Sequence, residues 1–399
     1  MRVRDPRPWT YSLPVALLLL APFNILASLG MDIYLPVVPA MPAILQTTPD
    51  VVQLTLTVYM IALGVGQVLF GPLSDRVGRR PVLIAGAMIF AAASFGLAAA
   101  TSAPLFVSLR LLQAIGASAT LVAIFATIRD IYAERPESAV IYSLMNAMLA
   151  AVPAFGPIAG AVLANAFGWQ SLFIALGFPA VTVLLWALPK WHETRPAEAN
   201  EQRRAFAHVL ASLSFWTYTL AFSAAMGTFF VFFSTAPRIL MDGAGFSELG
   251  FSLTFATAAV VMIATARFAE SFVNRWGVSG CMLRGMLLLL AGAGLLALGQ
   301  RTAPLSFWTF MPPVWLIAVG IVLTASVSAN GALQAFASSA GTAVALHFCV
   351  QSLITGLAGT AFVILLDGAT AWPLVAYATC MATVTLAARA ILERRHIRG

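Results

Sequence analysis

Apolar residues run through this chain in long blocks, separated by short polar stretches and one long one. A helix rises 1.5 Å per residue, so crossing about 30 Å of hydrocarbon takes roughly 20 apolar residues. Twelve blocks have that length. They are predicted at 12–36, 51–72, 82–100, 104–127, 139–166 and 169–189, then at 214–239, 248–270, 280–300, 305–331, 340–366 and 371–392. A membrane barrel would instead show short segments of alternating polarity, so the pattern predicts an all-α membrane protein. Spans ten and eleven are the least separated, because SANGALQAFASSAG between them has no charge. The long polar stretch, Lys190–His208, divides the spans into two sets of six. The expected organisation is an N-terminal six-helix bundle at 1–189, a cytoplasmic linker at 190–213 and a C-terminal six-helix bundle at 214–399. A short amphipathic helix is expected near Glu201–Leu213.

Composition supports the same class. The chain is 60% hydrophobic and 9% charged, whereas a soluble chain of this length is about one-quarter charged. Mean hydropathy is +0.91. Of the 22 Lys and Arg residues, Arg110 lies inside a span, nineteen fall on the N-terminal side of the membrane in this layout, and only Arg238 and Arg301 fall opposite. Short cytoplasmic loops carry such an excess, which predicts both termini inside. The net charge of +7 is then an orientation signal, and nucleic-acid binding is excluded. The basic start MRVRDPRPWT and the run behind it resemble a signal peptide, but the apolar length is that of an uncleaved first span.

Cys281, Cys349 and Cys380 have neither paired spacing nor a histidine cluster. Phosphate-binding loops, dinucleotide fingerprints and metal constellations are absent from the sequence. Neither an ATP-driven pump nor an enzyme is expected, and no cofactor beyond a proton gradient.

Polar residues inside the apolar blocks are the candidate chemistry, because charge at membrane depth marks a ligand or ion path. Pro22–Pro39, PFNILASLGMDIYLPVVP, holds Asn24 near mid-membrane and Asp32 toward the outer end, and the other helices are expected to enclose a cavity around it. Asp32 reads either as a solvated helix end or as a substrate- or proton-binding group. Arg110 in the fourth span either reaches outward to water or faces the cavity as a buried cation that favours the charged form of a nearby carboxylate. Gln113 follows on nearly the same face. Tyr34, Tyr59, Tyr142 and Met148 are further candidates, and so are Phe229 and Phe233 in a cluster that is otherwise lipid-facing or packing surface. His347 reads as a hydrogen-bonded packing residue or as a second titratable group. Gly156, Pro157 and Gly160 in the fifth span suit close helix approach and a bend, as a seal or a gate would need.

The most specific segment is Gly71–Pro81, GPLSDRVGRRP, between spans two and three. It places Asp75 among Arg76, Arg79 and Arg80, with Gly71 and Gly78 for sharp turns and close helix approach. This segment resembles the signature loop of the major facilitator superfamily. RLLQAIGAS from Arg110 resembles that family's buried-arginine motif, and AFGPIAGA from Ala154 resembles the motif of its drug:proton antiporters. A weak repeat, Arg76–Gly78 against Arg275–Gly277, fits two related halves.

SLGMDIYLPVVPAMP (Ser28–Pro42), TIRDIYAERPE (Thr127–Glu137), WHETRP (Trp191–Pro196), GTFFVFFSTAPR (Gly227–Arg238) and TAWP (Thr370–Pro373) are similar to bacterial phenicol exporters. The resemblance implies a twelve-helix antiporter of the bacterial inner membrane, acting as a monomer, that exchanges chloramphenicol or florfenicol for protons, or a wider range of drugs. It implies a carboxylate at the position of Asn24, where this chain has an amide, and a substrate or proton role for Asp32.

Overall fold

The computed structural model describes residues 11–132, 135, 137–195, 203–336 and 340–398. Among them, twelve long helices follow one another: α1 Leu13–Asp32, α2 Pro49–Val77, α3 Arg79–Ala98, α4 Ala103–Tyr132, α5 Glu137–Phe167, α6 Gln170–Ala187, α7 Leu213–Pro237, α8 Glu248–Arg267, α9 Ala269–Thr302, α10 Phe307–Leu333, α11 Ala340–Leu365 and α12 Trp372–Arg398. Eleven helical segments among the described residues are long and apolar enough to cross a membrane, and Ala151–Phe167 in α5 is a shorter apolar helix.

Most bounds fall within a few residues of the predicted blocks. The exception is α9, which begins at Ala269 rather than near 280. The helix continues through the predicted loop and breaks only at Gly277, where φ is 67° and ψ 175°. Gly78, at the α2–α3 junction, has a similar break with φ 115° and ψ 157°. Left-handed backbone of this kind favours glycine. The weak sequence repeat is therefore a repeated backbone device.

Prolines shape the end of α1. A proline has no N–H for the helical ladder, and with Pro36 and Pro39 the chain tightens into a 3-10 turn over Leu35–Ala40 before a short helix at Met41–Ile44. The linker helix forms at Arg203–Leu210. Its Val209 is buried against a small cluster with Phe215, Phe336 and Leu346.

Within the first six helices, α4 packs on both α2 and α3, α3 on α6, and α1 on α5. Within the last six, α9 packs on α10 and α12, and α7 on α10, α11 and α12. The two sets meet chiefly through α2 against α11 and α5 against α8.

Candidate functional site

The end of α1 is enclosed by packing. Every residue from Gly30 to Val38 is buried, packed against neighbours where a cavity enclosed by the other helices was expected. The reason lies in α5. A Cβ on Gly156 would stand 2.7 Å from the Asp32 Cβ, and one on Gly160 would collide with the Ile33 carbonyl. The two glycines let the α5 backbone press on α1, as their spacing predicts. Pro157, between them, offers its carbonyl oxygen to the Ser252 hydroxyl of α8 at 3.0 Å.

Asp32 is only 7% exposed, so it is not a solvated helix end. Among the described residues it makes no hydrogen bond or ion pair. Arg110 is fully buried, which excludes its outward reach to water. Its Nη1 donates to the Gly30 carbonyl and to Gln113 Oε1, each at 2.7 Å. Its guanidinium lies 4.5 Å from the Tyr59 ring centroid and 5.1 Å from that of Tyr34. Planar, weakly hydrated guanidinium suits such stacking. Nε and Nη2 have no partner. The expected influence on a carboxylate is thus not a contact ion pair: Arg110 bonds the backbone two residues before Asp32, and its guanidinium lies over the rings of Tyr34 and Tyr59.

These partners are themselves fixed. The Tyr59 hydroxyl donates to the Ala27 carbonyl at 2.6 Å. Gln113 Nε2 donates to the Ser94 hydroxyl at 2.9 Å, which donates onward to the Phe90 carbonyl. The Tyr34 ring packs on Phe106 and Phe173. Asn24 is fully buried. Its Nδ2 donates to the Met145 carbonyl of α5 at 3.2 Å, and its Oδ1 has no partner. A small void of about 10 Å³ lies between α1, α3, α4 and α6, lined by Phe23, Leu26, Ala27, Ala87, Phe90, Thr120 and Ala180, and Asn24 is not part of its lining.

Not all candidates join this cluster. Met148 is half-buried against a separate apolar cluster that includes Leu20, Phe23 and Met145. Phe229 and Phe233 sit with Phe255, their ring centroids 6.5 and 6.1 Å from it. Phe230, Phe232 and Phe233 are buried, so they pack inside the last six helices and do not face lipid. His347 is buried, with Nδ1 2.9 Å from the Thr219 hydroxyl and Phe222 and Phe348 around its ring. The Tyr142 side chain lies outside the described residues.

At the opposite ends of these helices, Arg79 is 2% exposed and reaches Asp75 at 2.6 Å, Asp130 at 2.8 Å and the Ser74 hydroxyl at 2.8 Å. Arg129 adds contacts to Asp130 at 3.5 Å and Asp75 at 3.9 Å. Arg80 donates to the Leu188 carbonyl at 3.0 Å, whereas the Arg76 side chain is exposed. Gly71 faces open space, so it does not provide the close approach expected of it. Ser94, Asp130 and Glu193 were not singled out by the sequence. Asp130 and Glu193 do lie in two of the segments that carry the resemblance.

A many-span helical protein with an unpaired carboxylate beside a buried arginine, and a charged lock at the far helix ends, has the architecture of a membrane transporter. The chain belongs to the Major Facilitator Superfamily, whose family model matches residues 20–388. It is 48% identical over 392 residues to a chloramphenicol resistance protein of Pseudomonas aeruginosa, covering 98% of this chain and 94% of the relative. It is 30% identical over 317 residues to the multidrug resistance protein MdtL of Escherichia coli O9:H4 (strain HS), covering 79% of each. Among solved structures, a D-xylose-proton symporter superposes with a TM-score of 0.75 at 16% identity, over 94% of this chain and 97% of that one. A POT family transporter in complex with 5-aminolevulinic acid gives 0.71 at 13% identity, over 96% and 97%. At these identities the structural likeness establishes the fold alone.

Proposed function

We propose that this transporter exports an amphipathic antibiotic, a phenicol such as chloramphenicol or florfenicol, in exchange for protons by alternating access. The observation that carries the reading is Asp32: a buried carboxylate without a partner, two residues from the backbone carbonyl that holds Arg110. The likeness to a chloramphenicol resistance protein supports the substrate class. With both termini inside, as the Lys and Arg distribution implies, Asp32 lies toward the outer face and the Arg79 cluster at the cytoplasmic face. The chain then sits in the bacterial inner membrane as a monomer of two six-helix bundles, at 1–189 and 214–399, joined by the linker at 190–213. It catalyses no reaction and holds no cofactor; the proton gradient drives it.

Drug enters from the cytoplasm or the inner leaflet, and protonation from outside displaces it. Coupling requires that proton and drug favour opposite states or compete for one site. Asp32 serves as the proton-binding group. A neutral phenicol offers a ring, hydroxyls and an amide, which suit an apolar site with few polar anchors. Asn24 Oδ1 and the free Arg110 Nη2 are such anchors. The likeness to a multidrug resistance protein favours a wider substrate range as the second reading.

Expression in a susceptible bacterium tests the proposal. Resistance to chloramphenicol or florfenicol should rise, with lower cellular drug. Membrane-inserted protein with no change for either drug would sink the phenicol reading. Growth tests with unrelated dyes and antibiotics separate it from the broader one.

A further inference from the structure

His347 lies about 10 Å past the start of α11 at Ala340 and is fully buried. Its Nδ1 stands 2.9 Å from the Thr219 hydroxyl of α7, and its Nε2 has no partner among the described residues. Thr219 is turned toward it. The hydroxyls of Thr217, Ser223, Thr228 and Thr235 in the same helix donate to the carbonyl four residues before them, a common place for a hydroxyl inside a helix. The Thr219 hydroxyl faces the imidazole instead. The rings of Phe222 and Phe348 flank the imidazole, with centroids 4.9 and 5.3 Å from its own. A row of buried polar groups continues along this face of α11. Gln351 and Thr355 follow at i+4 and i+8, which a helix places one above the other. Gln351 Nε2 donates to the Thr355 hydroxyl at 3.0 Å, and the Ser352 hydroxyl donates to Gln351 Oε1 at 3.4 Å. At Ser352 the two halves touch, since a Cβ on Gly64 of α2 would collide with it.

Ionisable groups stand apart from the imidazole. The helices packed on α11 are α2, α7, α10, α12 and the linker helix. From α2, Tyr59 and Asp75 are held by the Ala27 carbonyl and by Arg79, and Asp50 and Arg76 are exposed. From α7, Tyr218 lies against Gly331. No residue of α10 is ionisable. From α12, the Tyr377 hydroxyl donates to the Ser223 carbonyl, Arg389 pairs with Glu393 at 2.7 Å, and Cys380 and Arg394 are exposed. The His208 ring of the linker helix packs on Phe336, which packs on Phe215, which in turn packs on His347. Cys349 of α11 itself is half-buried. The side chains of Arg203, Arg204, Arg395, His396 and Arg398 lie outside the described residues. Among the described residues, none of these groups bonds the imidazole.

We propose that His347 is a second proton-binding group of the exchange, placed in the last six helices toward the cytoplasmic face as Asp32 is placed in the first six toward the outer face; this rests on the proton-exchange reading above. Both charge states suit the site. In the neutral ring, the Thr219 hydroxyl either donates to a bare Nδ1 or accepts from Nδ1–H. When the bare nitrogen takes a proton, a new N–H bond forms and the ring gains one positive charge. The Thr219 oxygen then accepts from Nδ1–H, so the same partner serves both states. The Phe222 and Phe348 rings lie within the roughly 6 Å over which an aromatic ring attracts a cation. A buried polar row at membrane depth marks an ion path, and this one runs from His347 to the contact between the halves at Ser352. A histidine kept for packing alone gains nothing from an unpartnered Nε2.

The test reads the imidazole directly. The chain has four histidines, so replacing His192, His208 and His396 by glutamine leaves His347 as the single source of signal in full-length protein labelled with nitrogen-15 histidine. Nuclear magnetic resonance in nanodiscs, without drug, should show both ring nitrogens passing to the imidazolium form as the pH falls from about 8 to about 5. Chloramphenicol at fixed pH should lower the imidazolium fraction, because drug and proton favour opposite states. A ring that stays neutral throughout would overturn the proposal, and so would a charge that ignores drug in a protein that exports it. Transport gives a second readout. In proteoliposomes with the membrane potential held at zero, each exchanged proton is worth about tenfold in steady-state drug ratio per pH unit. His347→Asn, which keeps a polar group near Thr219, should lower that dependence about tenfold per pH unit, and a dependence equal to the parent's would overturn the proposal. The drug-free titration needs no substrate, so a titrating His347 in a protein that exports no phenicol would count against the substrate reading alone.

Discussion

Arg110 donates to the Gly30 carbonyl at 2.7 Å, placing a buried cation against α1 two residues before Asp32 without an ion pair between them. An unpaired carboxylate can gain and lose a proton without first breaking a salt bridge. Asp32→Asn should therefore remove coupling while the helices stay assembled. Drug-dependent proton movement in proteoliposomes is expected to fall at least about tenfold, equivalent to ~1.4 kcal/mol. Undiminished exchange would exclude Asp32 as the carrier.

Arg110→Lys should fail to replace the native residue. An ammonium cannot reproduce the planar contacts to Tyr34 and Tyr59. Arg110→Ala leaves the Gly30 carbonyl and Gln113 Oε1 without this donor, each costing about 1–3 kcal/mol if left unpaired. Thermal unfolding in detergent should rank the proteins wild type, Lys, then Ala, with drug export lost in both variants.

Two glycines make a controlled pair. Gly160→Ala forces a methyl into the Ile33 carbonyl, whereas Gly71→Ala meets open space. Overpacking of this kind costs about 1–3 kcal/mol. A lower melting temperature and lost export are expected for Gly160→Ala, and near-native behaviour for Gly71→Ala. Equal effects would refute the packing role of Gly160.

Thr57 and Thr360 share a hydrogen bond between α2 and α11. Either single change to valine leaves one buried hydroxyl without this partner, while the double change removes both. The double variant should be less impaired than the sum of the singles by about 1 kcal/mol, read from thermal unfolding.

Asn24 donates to the Met145 carbonyl. In Asn24→Asp only the protonated acid can donate there, and the ionised form repels the carbonyl. Relative to wild type, export by this variant should decline as pH rises. A pH profile parallel to wild type would refute this role of the donor.

Much of the fold was legible because apolar length alone specifies a membrane span, so the long helices other than α9 follow the blocks closely. Side-chain partnerships were less legible. Lipid is as apolar as a helix core, so periodicity does not say which face turns inward. The buried Phe230, Phe232 and Phe233 illustrate this. Asp32 and Arg110 stood out because charge in an apolar block is conspicuous, but the two tyrosine rings and the Gly30 carbonyl that hold Arg110 depend on helix rotation. Glu193 bonds residues 113 and 114 positions away, which no local pattern encodes.

Among the described residues, three hydrogen bonds join the two sets of six helices toward the Asp32 end: Gln53 to Ser234, Thr57 with Thr360, and Ser252 to the Pro157 carbonyl. All are between neutral groups, each contributing a net ~1 kcal/mol. One elementary charge crossing a potential of 100 mV releases about 2.3 kcal/mol. The polar part of the contact at this end is thus of the same order as the energy one charge gains across such a potential.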